Sequence, residues 1–186
     1  MAKSYDLEDY GPYSEGVFAT LQLLDAVSFN HSYRVREISR DAENFFEHND
    51  STLSKAAFVH DIGKIYISTK ILDKKGTLSQ VEKNIIDLHP YISYQVLREL
   101  GVYEGICRIA LYHHGINPPC LSFVENYDNK KIMHYAEMLR TIDSFEALTT
   151  DRSYRRGFPS KEAIRIMEGE NFHDEKTLDF LKKRFC

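Results

Sequence analysis

Histidine and aspartate side chains recur on the apolar faces of successive predicted helices, and this pattern is the strongest constraint on the fold. They are His31, His60, Asp61, His89, His113, His114 and Asp143. In the first of these helices, apolar residues follow His31 at steps of three or four, in the order Val35, Ile38, Ala42 and Phe45. Residues at that spacing share one helical face. We therefore expect His31 to point into the protein.

The same stepping leads to the other side chains. It runs through Leu53, Ala56 and His60; Val81, Ile85 and His89; Ile106, Ile109 and His113; and Ile132, Ala136, Leu139, Asp143 and Ala147. A single buried histidine is most often a hydrogen-bonded core residue, but a buried carboxylate is costly without a partner. Neither Asp61 nor Asp143 has a Lys or Arg on its stripe. The pattern therefore favours bound metal over a hydrogen-bonded polar core without metal.

The remainder of the sequence is typical of a single all-α domain. A chain of 186 residues is long enough for one domain with a substantial core. Helical periodicity continues to the C-terminus, and no pair of period-two segments predicts a β-sheet. We expect a bundle of about seven to eight helices over residues 14–186. Residues 1–13 are expected to be a short leader.

Local signals predict several helix ends. Ser51 and Ser79 are expected to be N-cap residues. Gly63 is expected to break the helix that carries the His-Asp pair, so that both side chains can turn toward one ion. Gly101 is the expected C-cap of a later helix. Residues 65–75 are interpreted as an irregular connector.

Charge and cysteine content exclude several function classes. The net charge is -4 and the basic residues form no sustained stripe, so no nucleic-acid polymer is expected as a partner. Cys107, Cys120 and Cys186 lack paired spacing, which argues against a disulfide framework or a thiolate zinc site. No apolar run reaches the length of a signal segment or a membrane span. We therefore expect a cytoplasmic protein with no membrane partner.

The chemistry of such a cluster follows from its ligand types. Mixed His and Asp ligands suit Mn, Fe or Zn better than Ca or Mg, which prefer oxygen ligands. Two ions bridged by a carboxylate and a water would lower the pKa of that water and direct it at phosphorus. Lys64 follows Asp61 by three residues. It could neutralise a phosphoryl oxygen or the leaving group, or it could be a solvated side chain after a turn.

An ordered series of motifs resembles the HD superfamily of metal-dependent phosphohydrolases, and specifically its HD-GYP branch, which degrades cyclic di-GMP in bacteria. The motifs are His31-Ser-Tyr-Arg-Val, Phe58-Val-His60-Asp61-Ile-Gly-Lys64-Ile, Ile71-Leu72, Gly76-Thr-Leu78, His89-Pro90 and Ile142-Asp143-Ser-Phe-Glu-Ala-Leu-Thr-Thr-Asp-Arg152-Ser-Tyr-Arg155. The resemblance spans nearly the whole chain. It implies an all-α HD-domain helical bundle that binds metal.

The resemblance also implies roles for individual residues. One metal site would comprise His31, His60, Asp61 and Asp143, and Asp61 would bridge to a second site at His89, His113 and His114. Asp61 and Lys64 would be catalytic. Arg152 and Arg155 match positions that contact substrate phosphates, although either could instead bind a helix end or a carboxylate. The implied cofactors are two divalent ions, with Fe or Mn favoured and Zn, Ni or Mg as alternatives.

The chain departs from the branch at two places. After the paired histidines the branch has Glu and then Asp-Gly-x-Gly-Tyr-Pro, whereas this chain has Gly115-Ile-Asn-Pro-Pro-Cys-Leu-Ser-Phe123. The distance from His114 to Asp143 is close to that of the family, so the loop is rewritten and not deleted. That loop normally shapes the nucleobase pocket. Val27 occupies the position of an extra acidic ligand found in some members, so two ions are expected and not three.

We therefore expect an HD-type metal-dependent phosphodiesterase that acts on a nucleotide-like substrate, with a cyclic dinucleotide such as cyclic di-GMP first. Two alternatives stay open. The first is a catalytically lapsed HD-GYP-like binding or signalling module, and the second is an HD nucleotidase that acts on mononucleotides. Regulation by a protein partner or by formation of a homo-oligomer also stays open.

Overall fold

Helices form the described part of the chain, which in this computed structural model comprises residues 14–115, 129–151 and 155–186. They are α1 (Ser14–Leu21), α2 (Ala26–Phe45), α3 (Thr52–Val59), α4 (Thr69–Leu72), α5 (Gln80–Ile86), α6 (His89–Glu99), α7 (Glu104–Tyr112), α8 (Lys130–Thr149), α9 (Ser160–Glu168) and α10 (Glu175–Phe185). A 3-10 turn, Ile62–Tyr66, follows α3. No β-strand lies within these ranges, so the all-α class is confirmed.

The helical segments outnumber the seven to eight that we expected, partly because residues 65–75 are not an irregular connector. The end of the 3-10 turn and the single turn of α4 fall there. The carbonyl of Ser68 accepts from the amides of Ile71 and Leu72, and this closes α4. The expected leader over residues 1–13 lies outside the described residues. None of the described helices combines the length and the apolar character needed to cross a bilayer.

The centre of the bundle is formed by α3 and α7. Five of the eight residues of α3 are buried apolar side chains, and every residue of α7 from Gly105 to Tyr112 is buried. A helix that is apolar on all sides belongs inside a protein. The long helix α8 packs against both of them, and the long helix α2 packs against α3 and α8. The C-terminal ends of α3 and α7, with the residues that follow them, therefore lie in the core.

Two predicted apolar stripes are not buried as expected. Phe45 is half exposed at the end of α2. Val81 and Ile85 of α5 are 68% and 36% exposed, and no residue of α5 is buried. The prediction that Val81, Ile85 and His89 share one buried helical face was wrong, because His89 does not belong to α5. It is the first residue of α6, and it is buried by the packing of that separate helix.

Several helix ends follow the sequence signals, and one does not. Ser79 forms a capping box with Glu82, and Gly101 has the left-handed φ of 70° that favours glycine after a helix. The side chain of Ser51 caps nothing in α3. Instead, Asp50 accepts from the Thr52 amide, and the buried carboxylate of Glu43 accepts from the Ser54 amide. The sequence around Ser51 did not indicate the contribution of Glu43, because Glu43 lies 11 residues before Ser54.

Candidate metal centre

The His60-Asp61 pair stands where α3 changes into the 3-10 turn, and both side chains are fully buried. Gly63 permits this arrangement for a reason other than the helix break we expected. A Cβ at Gly63 would lie 2.5 Å from the carbonyl oxygen of His89 and 2.5 Å from the amide nitrogen of Ser93. The glycine therefore lets the 3-10 turn pack directly against the start of α6, which brings His89 toward Asp61.

Backbone carbonyls fix the orientation of three imidazole rings. The Nδ1 atoms of His60, His89 and His113 each lie 2.7 Å from a carbonyl oxygen three residues earlier, on Ala57, Ile86 and Ala110 respectively. A carbonyl oxygen only accepts hydrogen bonds, so Nδ1 carries the proton and Nε2 presents a lone pair. In His31 the carboxylate of Glu146 binds Nδ1 in the same way. All four Nε2 atoms are thus oriented as metal ligands usually are.

The Nε2 atoms and two carboxylates converge on one point of the core. Nε2 of His31 lies 2.9 Å from Oδ1 of Asp143 and 3.7 Å from Oδ2 of Asp61. Nε2 of His60 lies 3.4 Å from the same Asp61 oxygen and 3.9 Å from Oδ1 of Asp143. These residues come from α2, the end of α3 and the middle of α8. The structure therefore brings together the four side chains that the sequence assigned to one ion.

The other oxygen of Asp61 faces a second group of imidazoles. Oδ1 of Asp61 lies 3.1 Å from Nε2 of His89, which lies 3.3 Å from Nε2 of His113. His114 is more exposed, but it offers a ligand atom within 4.8 Å of those of His89 and His113. Asp61 thus lies between two clusters, with one oxygen toward each. This is the arrangement that a bridging carboxylate requires.

The donor set fits a bound cation. Nε2 of His60 and Oδ1 of Asp61 are buried and form no hydrogen bond with any described residue. The Nε2 atoms of His89 and His113 also present lone pairs toward Asp61. These four atoms all accept hydrogen bonds, and no described residue supplies a donor between them. The expectation that Asp61 has no basic partner was wrong, because the Lys64 ammonium three residues later lies 2.6 Å from Oδ2 of Asp61. The ammonium reaches only one side of the group, however. Buried acceptors in this arrangement are satisfied by metal ions.

The pKa shifts of His60, His113 and Asp61 favour the protonation states that metal ligands need. Burial lowers the pKa of His60 and holds the pKa of His113 well below its usual value, so both rings are neutral. Burial alone would raise the pKa of Asp61, but its interactions with the His60 imidazole and the Lys64 ammonium outweigh burial and hold that pKa well below its usual range. Neutral imidazole and ionised carboxylate are the forms that bind metal.

Glu146 is a functional residue that the sequence reasoning missed. It is buried on α8, and its carboxylate binds Nδ1 of His31, Nε of Arg34 and the hydroxyl of Thr150, the last at 2.6 Å. Burial works to lower the pKa of His31, but the carboxylates of Asp143 and Glu146 raise it to about 9. The available signal was spacing, because Glu146 follows Asp143 by three residues and shares its face of the helix.

Of the two arginines that the resemblance assigned to substrate phosphates, the structure describes Arg155 but not Arg152. Arg152 lies outside the described residues, as do residues 116–128 of the rewritten loop. The guanidinium of Arg155 donates to the carbonyl oxygens of Ala147 and Leu148 at 2.8 and 2.9 Å, respectively. Arg155 thus closes the C-terminal end of α8, which is the helix-end role that the sequence left open beside phosphate binding.

Comparisons with known proteins agree with this geometry. Residues 28–148 match the family model of the HD domain. The chain is 34% identical over 134 residues to 3'3'-cGAMP-specific phosphodiesterase 3 of Vibrio cholerae, which covers 70% of this chain and 29% of that protein. It is 29% identical over 194 aligned positions to a cyclic di-GMP phosphodiesterase of Thermotoga maritima, which covers 94% of this chain and 51% of that protein. The chain thus spans about half or less of the length of these relatives.

A solved structure shares the fold. The HD domain of the phosphodiesterase PgpH from L. monocytogenes, in complex with cyclic-di-AMP, superimposes with a TM-score of 0.65. The match covers 90% of this chain and 92% of that one, at 17% sequence identity. At this identity the likeness shows a common helical architecture.

Proposed function

The chain belongs to the HD domain family, and we propose that its buried His-Asp centre binds two divalent metal ions and hydrolyses a phosphodiester bond of a cyclic dinucleotide. One observation carries the proposal. Nε2 of His89 lies 3.1 Å from Oδ1 of Asp61 and 3.3 Å from Nε2 of His113. All three atoms are hydrogen-bond acceptors, and no described residue places a donor between them. A polar core without metal leaves these atoms unsatisfied.

The ligands divide into two sets around Asp61. His31, His60 and Asp143 would hold one ion with Asp61, and His89, His113 and His114 would hold the other. His-rich coordination favours Fe or Mn, with Zn, Ni or Mg as alternatives. Bound ions of this kind lower the pKa of a water molecule and stabilise negative charge on a phosphoryl group.

The side chains around the centre have roles of their own. The ammonium of Lys64 is partly exposed beside Asp61, where it can donate to a phosphoryl oxygen of the substrate. Glu146 fixes the ring of His31 in the orientation that directs Nε2 inward. Arg155, three residues after Arg152 in the sequence, donates hydrogen bonds to the carbonyl oxygens at the end of α8. Arg152 lies outside the described residues, and the family resemblance is what supports its proposed contact with a substrate phosphate.

The substrate class is supported by the relatives. Those compared above are named for 3'3'-cGAMP and cyclic di-GMP, and a structure with the same fold contains cyclic-di-AMP. All three compounds are cyclic dinucleotides, which have two phosphodiester bonds. We assign the hydrolytic unit to residues 14–186, which include every proposed ligand.

The proposal is tested by metal analysis and hydrolysis assays on protein purified without oxygen. We expect about two ions per chain in the wild-type protein and turnover of at least one of cyclic di-GMP, 3'3'-cGAMP and cyclic-di-AMP. His60→Ala should lose both metal and turnover. His48→Ala is the matched control, because His48 packs on Phe46 and Tyr135 beyond the far end of α2.

The other outcomes discriminate between the alternatives. Metal retention and normal turnover in His60→Ala would refute the assignment. A wild-type protein that holds metal but hydrolyses none of these compounds would favour the lapsed binding module. Hydrolysis of mononucleotides alone would favour a nucleotidase. His134, Glu137 and Asp174 form a further His-carboxylate group among the described residues, so His134→Ala shows whether any extra ion resides there.

A further inference from the structure

A cavity of about 610 Å³ lies against the end of α7 and against α8, the elements that carry His113, His114 and Asp143. Its walls include Tyr112 and Gly115 at the end of α7, Glu137 and Arg140 on α8, and Phe172 in the connection between α9 and α10. Gly115 directly follows His114. Arg140 precedes Asp143 by three residues, which is about 4.5 Å along a helix. The volume is in the range of small-molecule sites, and the walls include close sequence neighbours of His113, His114 and Asp143.

Arg140 presents unused hydrogen-bond donors here. Its guanidinium carbon lies 4.0 Å from the centre of the Phe172 ring, so the two groups stack. Within residues 14–115, 129–151 and 155–186, no hydrogen bond and no ion pair within 4.0 Å engages Arg140, and the carboxylates of Glu170 and Glu137 act on it only at longer range. A methyl group at Gly115 would lie 3.6 Å from Nη1 of Arg140. The guanidinium edge thus lies close to Gly115, the residue that follows the paired histidines.

The charge balance of the cavity favours a nucleobase over a phosphate. Arg140 and Lys176 are opposed by Glu137, Asp174 and Glu175, so acidic side chains outnumber basic ones on the walls. A phosphate group would be repelled by these carboxylates, whereas a base is uncharged and has hydrogen-bond donors as well as acceptors. Aromatic rings and arginine planes are the surfaces on which proteins stack bases.

We propose that this cavity holds a nucleobase of the substrate and that Arg140 selects guanine. Guanine presents O6 and N7 as adjacent acceptors, which match two donors of one guanidinium group. Adenine presents an amino group beside N7, so the same guanidinium would meet a donor. The inference rests on the proposed function, because it takes the phosphates of the same nucleotide to lie at the His-Asp centre.

The test compares guanine and adenine ligands in binding and not only in turnover. Binding of GMP, AMP and cyclic di-GMP to the metal-loaded protein is measured by isothermal titration calorimetry. We expect Arg140→Ala to weaken binding of both guanine ligands about tenfold or more and to abolish the preference for GMP over AMP. Arg140→Lys keeps the charge but not the planar fork, so it should restore little of that preference. Arg165→Ala, on the exposed face of α9, is the matched control.

Hydrolysis separates this proposal from the proposed function. Bis-(p-nitrophenyl) phosphate has no nucleobase, so the ratio of kcat/KM for cyclic di-GMP to that for this compound should fall about tenfold in Arg140→Ala. An equal loss on both compounds, or no guanine preference in binding by the wild-type protein, would overturn the role of Arg140. If the wild-type protein hydrolyses neither compound, the proposed function fails, and the GMP and AMP titrations still decide the base selection.

Discussion

Among single residues, Glu146 shows how the ligand set is held in place. Its carboxylate binds Nδ1 of His31 and is itself held by Arg34 and Thr150. Glu146→Gln removes the negative charge but keeps the shape. We expect metal affinity to fall by about 10- to 100-fold, the usual effect of losing such a partner. Competition with a chelator measures this, with Glu162→Gln on α9 as the control. Equal affinity in both variants would contradict the role.

His31 should make metal uptake depend on pH. Burial acts to lower its pKa, but Asp143 and Glu146 raise it to about 9, so below that pH the metal-free ring holds a proton. An ion must displace this proton. The pKa of His114 is lowered to about 4 by burial, so that ring is already neutral. Metal affinity should therefore increase from about pH 7 to about pH 9. Affinity that is constant over this interval would be evidence against the prediction.

Gly63 is the residue at which added volume should be most harmful. A Cβ there would lie 2.5 Å from two backbone atoms of α6, and a backbone cannot yield as a flexible side chain does. We expect Gly63→Ala to lower the free energy of unfolding by about 1–3 kcal/mol, as overpacking does. Urea denaturation measures it. Gly76→Ala is the control, because its Cβ would meet nothing within 4 Å, and a similar loss there would show that close packing is not the cause.

Among the helices, α5 depends on local interactions. None of its residues is buried, and its N-terminus is held by the reciprocal hydrogen bonds of Ser79 and Glu82. Ser79→Ala removes one of them, at a local cost of about 1 kcal/mol. We expect faster amide hydrogen exchange in α5 with an unchanged global free energy of unfolding. A matching loss of global stability would show that α5 contributes to the core after all.

The burial of the α8 stripe was predictable from sequence, whereas the exposure of the α5 stripe was not. The stripe of α8 placed Asp143 correctly because α2, α3 and α7 all pack on that helix. Val81 and Ile85 repeat at the same spacing, but periodicity does not reveal whether a partner helix covers them. Spacing likewise identified the histidines and placed Glu146 on the same face as Asp143, but only the fold shows that its carboxylate reaches Nδ1 of His31.

At the scale of the whole molecule, the centre joins segments that are far apart in sequence. Its proposed ligands come from α2, the end of α3, the start of α6, the end of α7 and the middle of α8. Ions held by all of these segments would link them more firmly than apolar contacts alone. Because only the folded chain assembles the ligands, the binding free energy of the ions adds to the stability of the fold.

The most direct test of paired ions in this core is anomalous X-ray diffraction from crystals of the metal-loaded protein, recorded at the absorption edge of the bound metal. We predict two peaks per chain on either side of Asp61. One should be bound by His31, His60 and Asp143, and the other by His89, His113 and His114. A single peak, or peaks that lie away from Asp61, would contradict the dinuclear centre on which the proposed phosphodiesterase depends.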